Sequence, residues 1–151
     1  MSEVLETTVD KFTFRVPTDR FYTDAGLWVL REGGESFARI GLSDFLQQTS
    51  GDVTFADVHP EGTILADGDV FAVVETIKAS IELNSPVAGT IVEINPAMAT
   101  APEAINQDPY GVGWLVRVEL SSPETARVHL LDPPAYFALM KREAEEEAKK
   151  R

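Results

Sequence analysis

Lys78 lies between two β-patterned runs, residues 69–77 and 90–94, both rich in branched, small or aromatic apolar side chains. A lysine in a turn between strands presents a primary amine to solvent. That amine is a nucleophile that can be acylated. Most exposed lysines are ordinary solvated loop residues, so the surroundings have to single this one out. Glu75 stands three residues before it, Ala79 follows directly, and Ser85-Pro86-Val87-Ala88-Gly89 closes the window. Competing chemistry is sparse. No acid and base show recognisable spacing, and there is no nucleophile triad or glycine-rich phosphate loop. His59 and His129 are far apart in sequence, with no carboxylate or histidine cluster beside them, so no metal site is expected. The chain has no cysteine, which excludes a disulfide framework, a thiolate metal site and any thiol redox chemistry of its own. Sulfur chemistry, if any, must arrive on a prosthetic group.

The window around Lys78 resembles the attachment site of lipoyl and biotinyl carrier domains, and its Glu75, Ala79 and Ser-Pro-Val-x-Gly run fit the H protein of the glycine cleavage system. A second stretch resembles the same family. Val92-Glu93-Ile94-Asn95, Pro102, Ile105-Asn106-Gln107-Asp108-Pro109-Tyr110-Gly111 and Gly113-Trp114-Leu115 follow in order, so the likeness runs over residues 20–140. Biotinyl domains flank their lysine with methionines, whereas Ile77 and Ala79 stand here, which favours lipoate. The resemblance implies a mainly β, lipoyl/biotinyl-type barrel-sandwich hybrid with short helices and a C-terminal helix. It implies a carrier rather than an enzyme, with lipoate amide-linked to Lys78. A lipoylating enzyme would recognise Glu75 and Ala79, although Glu75 reads equally well as a solvated strand residue. Such an arm reaches about 14 Å at ordinary bond lengths, and tethering replaces diffusion with an effective concentration on the order of mM at each partner. Dihydrolipoamide dehydrogenase is an implied partner.

Two departures from the family pattern bear on cargo. Before the tryptophan that aligns with Trp28, H proteins carry Ser-His-Glu or Lys-His-Glu, and this chain has Ala25-Gly26-Leu27. After the lysine, the family's Ser-Asp becomes Ile81-Glu82. In the family these positions help hold an aminomethyl-lipoyl group whose cationic amine needs acceptors. The expected arm cleft is therefore Ala25, Leu27, Trp28, Ile81 and Glu82. Its apolar character suits a neutral or sulfur-loaded arm, so the H-like lipoate-binding proteins that serve heterodisulfide-reductase-like sulfur-oxidation enzymes are placed slightly ahead of the glycine cleavage enzymes. An acidic scaffold with no prosthetic group is the third reading.

The elements that must position these residues follow from pattern. Residues 1–11 read as a flexible leader, and 12–142 as the carrier domain, including the start of the C-terminal helix. Residues 143–151 read as a polar helix end or tail. Residues 12–16 alternate as a strand, and 22–30 and 36–42 pair around Glu32-Gly33-Gly34. Ser43 caps a short helix ended by Gly51. A second short helix covers 102–107, a strand covers 113–120, and Ser122-Pro123 opens the C-terminal helical part. Glu145 with Lys149 and Glu146 with Lys150 have helical i, i+4 spacing. The runs before Lys78 and after Gly89 belong to two different β-layers. Trp28 and Trp114 are expected as core or rim aromatics. A net charge of −12 argues against nucleic acid or anionic membrane as partners. No apolar run approaches the roughly 20 residues of a membrane span, and the polar N-terminal residues lack signal-peptide character, so a cytoplasmic location is expected.

Overall fold

The computed structural model describes residues 3–126 and 129–150. Met1 and Ser2 of the expected leader and Arg151 of the expected tail lie outside the described residues. Strand β1 (Val4–Val9) pairs with β2 (Phe12–Pro17) in register from Val4 opposite Pro17 to Val9 opposite Phe12. The leader expectation is thus corrected: most of it is half of a hairpin. Asp10 and Lys11, at φ of 48° and 80°, make the two-residue turn, a loop that matches the twist of paired strands. Leu5 and Val9 alternate inward onto the aromatic cluster described below. With Glu and Thr between them, this alternation is easily mistaken for a polar segment.

The next strands are β3 (Phe21–Tyr22), β4 (Leu27–Glu32) and β5 (Phe37–Leu42), so the expected strand over 22–30 is broken by a turn at residues 23–26. Helix α1 (Asp44–Ser50) starts where Ser43 Oγ accepts from Leu46 N at 3.2 Å and stops at Gly51, whose φ of 95° lies where glycine is favoured. Strands β6 (Val53–Val58), β7 (Ile64–Leu65), β8 (Val70–Thr76), β9 (Ser80–Asn84) and β10 (Gly89–Ile94) follow. Two short helices, α2 (Ala97–Thr100) and α3 (Ala104–Gln107), lead to β11 (Val116–Leu120). Ser122-Pro123 opens a turn rather than a helix. Helix α4 (Pro133–Lys149) begins later, where Asp132 Oδ1 accepts from Ala135 N at 2.9 Å.

The strands form a six-stranded sheet in the order β3-β4-β5-β11-β10-β7, a three-stranded sheet β6-β8-β9, and the β1-β2 pair. As expected, the run before Lys78 and the run after Gly89 lie in different layers. Their inner faces, with Ile40, Leu42, Phe71, Val74, Ile91 and Val118 fully buried, share one core. A second cluster joins Phe14, Val16, Tyr22 and Trp28 to Tyr136, Met140 and Ala144 of α4. Of the two readings of residues 143–151, the helix end holds as far as Lys149, and its inner face stays engaged beyond residue 143. Tyr136, Met140 and Ala144 recur every four residues on one buried face, and a lone alanine among glutamates hides that repeat in the sequence. Among the described residues, no helix is long and apolar enough to cross a membrane.

One polar device ties three strands of the larger sheet. Arg39 on β5 is directly opposite Arg117 on β11, a repulsive pairing by itself. Glu32 on β4 relieves it, its two carboxylate oxygens accepting from Arg39 Nε and Arg117 Nε, each at 3.0 Å. Burial alone would raise the Glu32 carboxyl, but the two guanidinium hydrogen bonds outweigh it and hold the group below its ordinary value. A depressed carboxyl adds stability above its unfolded pKa, and that stability is lost as pH falls through the folded one. Glu32→Gln is therefore expected to lower the urea midpoint by a constant amount above about pH 5, with the gap from wild type narrowing below the ordinary glutamate value of ~4.3. Midpoints of both proteins between pH 3 and 8, read by circular dichroism, check this; a gap that does not vary with pH contradicts it.

Candidate functional site

Lys78 sits at the tip of the hairpin formed by β8 and β9. The sequence reading set Lys78 in a turn between the run before it and the run after Gly89; β9 intervenes and is the hairpin partner of β8. Glu75 faces Ser80 across the last pair. Residues 77–79 then make the turn, with Lys78 and Ala79 exposed. Thr76 fixes it: its N donates to Ala79 O at 2.8 Å, and its Oγ1 accepts from Lys78 N at 3.2 Å and Ala79 N at 3.1 Å while donating to Ser50 O at 2.7 Å. Ile77 N donates to Asp52 O at 3.1 Å. The tip is thus bonded to the chain leaving α1.

That exit is itself clamped by Asn106 of α3. Its Nδ2 donates to Gln47 Oε1 at 3.0 Å and Gly51 O at 3.1 Å, and its Oδ1 accepts from Val53 N at 2.8 Å. Asn106 belongs to the second run that resembles the family, and its service to the tip depends on a contact between distant segments that local pattern cannot show. The Lys78 stem lies across Gly51, where a β-carbon would come within 3.3 Å of Lys78 Cε. Lys78 Nζ reaches Thr49 O at 3.5 Å. The amine therefore leans toward the end of α1.

A cavity of about 100 Å³ opens beside the hairpin, lined by Ala25, Leu27, Leu46, Ile81, Glu82 and their neighbours on β9. The structure thus brings together four of the five residues proposed for the arm cleft. Trp28 is the exception. Adjacent residues of a strand point to opposite faces, so with Leu27 at the cavity Trp28 turns into the second cluster, where it is 0 % exposed and its Nε1 donates to Pro109 O at 2.8 Å. Leu46, on the apolar face of α1, and Leu83 and Asn84 of β9 are the cavity residues that sequence reasoning missed. Trp114 is partly buried, with the Arg39 guanidinium 4.0 Å from its ring centre. Asp108-Pro109-Tyr110-Gly111 is a turn with further contacts: Tyr110 Oη donates to Arg15 O at 2.6 Å and accepts from Asp44 N at 3.0 Å.

A wider trough of about 380 Å³ shares Ala25 and Leu46 with the cavity and runs between α1 and α4. Its far side carries Tyr136 and Glu143. Burial pushes the Tyr136 hydroxyl up to about 12, against the opposing hydrogen bond from Ser43. The Glu143 carboxyl is raised by burial first and then by the Glu146 and Asp24 carboxylates, with Arg142 opposing.

A lipoyl arm fits these residues. An exposed amine stands on a braced tip, and Ile81 is three residues along the hairpin, about 10 Å at strand rise. An arm of about 14 Å spans that distance, and the cavity walls are mostly hydrocarbon.

Two facing sheets with a lysine-tipped hairpin make a barrel-sandwich of the lipoyl carrier class, a scaffold that presents a group rather than transforming one. The family model described as glycine cleavage H-protein matches residues 20–143. The chain is 42% identical over 120 residues to the glycine cleavage system H protein of Salinibacter ruber, covering 80% of this chain and 94% of that one. It is 45% identical over 129 residues to the H protein of Nitratidesulfovibrio vulgaris, covering 85% and 98%. The crystal structure of the H protein from Mycobacterium marinum superposes with a TM-score of 0.73 at 30% identity, covering 82% of this chain and 97% of that one. The chain belongs to the glycine cleavage H-protein family, whose members carry lipoate covalently on a lysine.

Proposed function

We propose that Lys78 is the lipoylated residue and that the chain serves as the H component of a glycine cleavage system, carrying an aminomethyl cargo between the decarboxylating and the aminomethyl-accepting enzymes. The proposed setting is cytoplasmic, with dihydrolipoamide dehydrogenase reoxidising the arm and a lipoylating enzyme reading the exposed Glu75 and Ala79. Lipoate held on Lys78 would supply a disulfide that takes the aminomethyl carbon on one sulfur as the S–S bond breaks and the other sulfur becomes a thiol, so that loading is itself the reduction. The protein's own residues do the rest. Thr76 and Asn106 hold the tip still, amide formation makes Lys78 neutral, and Leu27, Leu46 and Ile81 offer an apolar resting surface.

The observation that carries this reading is the likeness to named H proteins over 94% and 98% of their own length, with a cavity on the strand that leaves the Lys78 turn. It reverses the order in which the sequence alone ranked the cargoes. Leu27 does remove an acceptor, but Glu82 lies on the cavity rim and keeps a carboxylate for a cationic amine. The hydrocarbon walls favour the second reading, an arm loaded with a neutral sulfur compound by heterodisulfide-reductase-like enzymes. One assay separates the readings: lipoylated protein is mixed with glycine decarboxylase and glycine, and the lipoyl peptide is weighed. Glycine-dependent loading is the expected result. Loading only from a thiol substrate with sulfur-oxidation enzymes favours the second reading, and an unmodified Lys78 in lipoylating cells favours the acidic scaffold.

A further inference from the structure

The hairpin β1-β2 lies outside residues 20–143, the part of the chain that the family model matches, and so does Glu147 on the last turns of α4. Yet both stand beside the attachment lysine. Phe12, Phe14, Gln48, Thr49, Lys78 and Glu147 line one groove of about 220 Å³. Lys78 is part of its wall, whereas it does not line the cavity at Leu27 and Ile81. The stem already points that way, crossing Gly51 toward Thr49 O.

The hairpin is held firmly enough to shape this groove. Gln48 Nε2 donates to Thr13 O at 2.8 Å, and Arg15 N donates to Asp44 Oδ2 at 3.0 Å. The Phe14 ring meets the Phe45 ring edge-on at 5.3 Å, and Phe12 stacks beside Phe14 at 6.5 Å while remaining 44% exposed. Aromatic faces next to a lysine stem suit a methylene chain. Acylation favours such a contact, because a neutral amide no longer keeps the end of the stem in water.

We propose that the β1-β2 hairpin is a positioning element for the arm: Phe12 and Phe14 hold the first methylenes of lipoyl-Lys78 in the groove, so that the distal ring is delivered from a fixed root. The inference rests on lipoylation of Lys78 but not on which cargo the arm carries. It is tested on the full-length lipoylated protein, made with ¹³C-labelled lipoate, by NMR. Ring currents are expected to move the arm's first methylene protons upfield from their positions in free lipoamide, with nuclear Overhauser contacts to Phe14. Phe12→Ala should return them most of the way. Phe12→Leu, which keeps the apolar contact but removes one ring, should keep the contacts to Phe14 while reducing the shift. Methylene signals at free-lipoamide positions in wild type, or signals unmoved by Phe12→Ala, overturn the proposal even if glycine-dependent loading succeeds. Absence of lipoate from Lys78 overturns it together with the carrier reading, and a failed glycine assay with the shifts intact leaves this inference supported.

Discussion

Lys78→Arg is expected to fold like the wild type and to take up no lipoyl group at all, with carrier turnover falling to background. Amide formation needs a neutral amine to attack an activated acyl group. A lysine amine can give up its proton and present a lone pair for that, whereas a guanidinium keeps its proton and its electrons are delocalised. The fold has no stake in the difference. Lys78 is exposed, the one polar contact of its side chain among the described residues is the long 3.5 Å approach to Thr49 O, and the turn is held by Thr76. Surface substitutions of this kind stay within about 0.5 kcal/mol of wild type. Intact mass and peptide mapping of both proteins made in lipoylating cells provide the check, with urea midpoints as the folding control. A lipoyl-sized mass on the arginine variant would put the attachment on another residue and sink the assignment of Lys78.

Trp28→Ala is expected to cost ~3–5 kcal/mol of stability, the range for emptying a large buried aromatic site, while the folded fraction is lipoylated at the wild-type rate. The indole is fully enclosed. Gly41 sits opposite it in the β4-β5 register, and a β-carbon there would lie only 2.6 Å from the ring. The Arg20 guanidinium lies 4.6 Å from the ring centre, and the indole N–H is bonded to Pro109 O. None of these contacts touches the cavity beside the hairpin. Urea unfolding at low temperature measures the cost, and lipoylation time courses on the native fraction measure the rest. A variant of unchanged stability but altered arm behaviour would return Trp28 to the cleft.

These two residues also mark how far the sequence could be read. The exposed turn that carries Lys78 was legible because its setting is local: a β run, a turn and the Ser-Pro-Val-x-Gly stretch all lie within one window. The two-layer core was legible for the same reason, since alternation and glycine-marked turns speak of neighbours along the chain. Leu27 and Trp28 were both assigned to the cleft, although a strand sends adjacent side chains to opposite faces; strand geometry itself contained that correction. Strand β9 escaped notice because Ser80-Ile81-Glu82-Leu83-Asn84 is short and has only Leu83 fully buried. Leu46 and Asn106 could not have been placed by any local reading. Each serves the site through segments distant in sequence, α1 against β9 and α3 against the exit of α1.

The second cluster has a further bearing on how the protein is made. It packs Phe14, Tyr22 and Trp28 from one end of the chain against Tyr136, Met140 and Ala144 from the other. During synthesis the β8-β9 hairpin can close as soon as its own residues emerge, because its contacts are local. The aromatic surface has to wait for the final helix. A ribosome that stalls late, or a protease that trims the C-terminal helix, leaves a chain with its lysine-bearing hairpin formed and an uncovered aromatic patch of the kind that drives aggregation. Integrity of the last helix therefore governs solubility through a cluster separate from the core that the two sheets share.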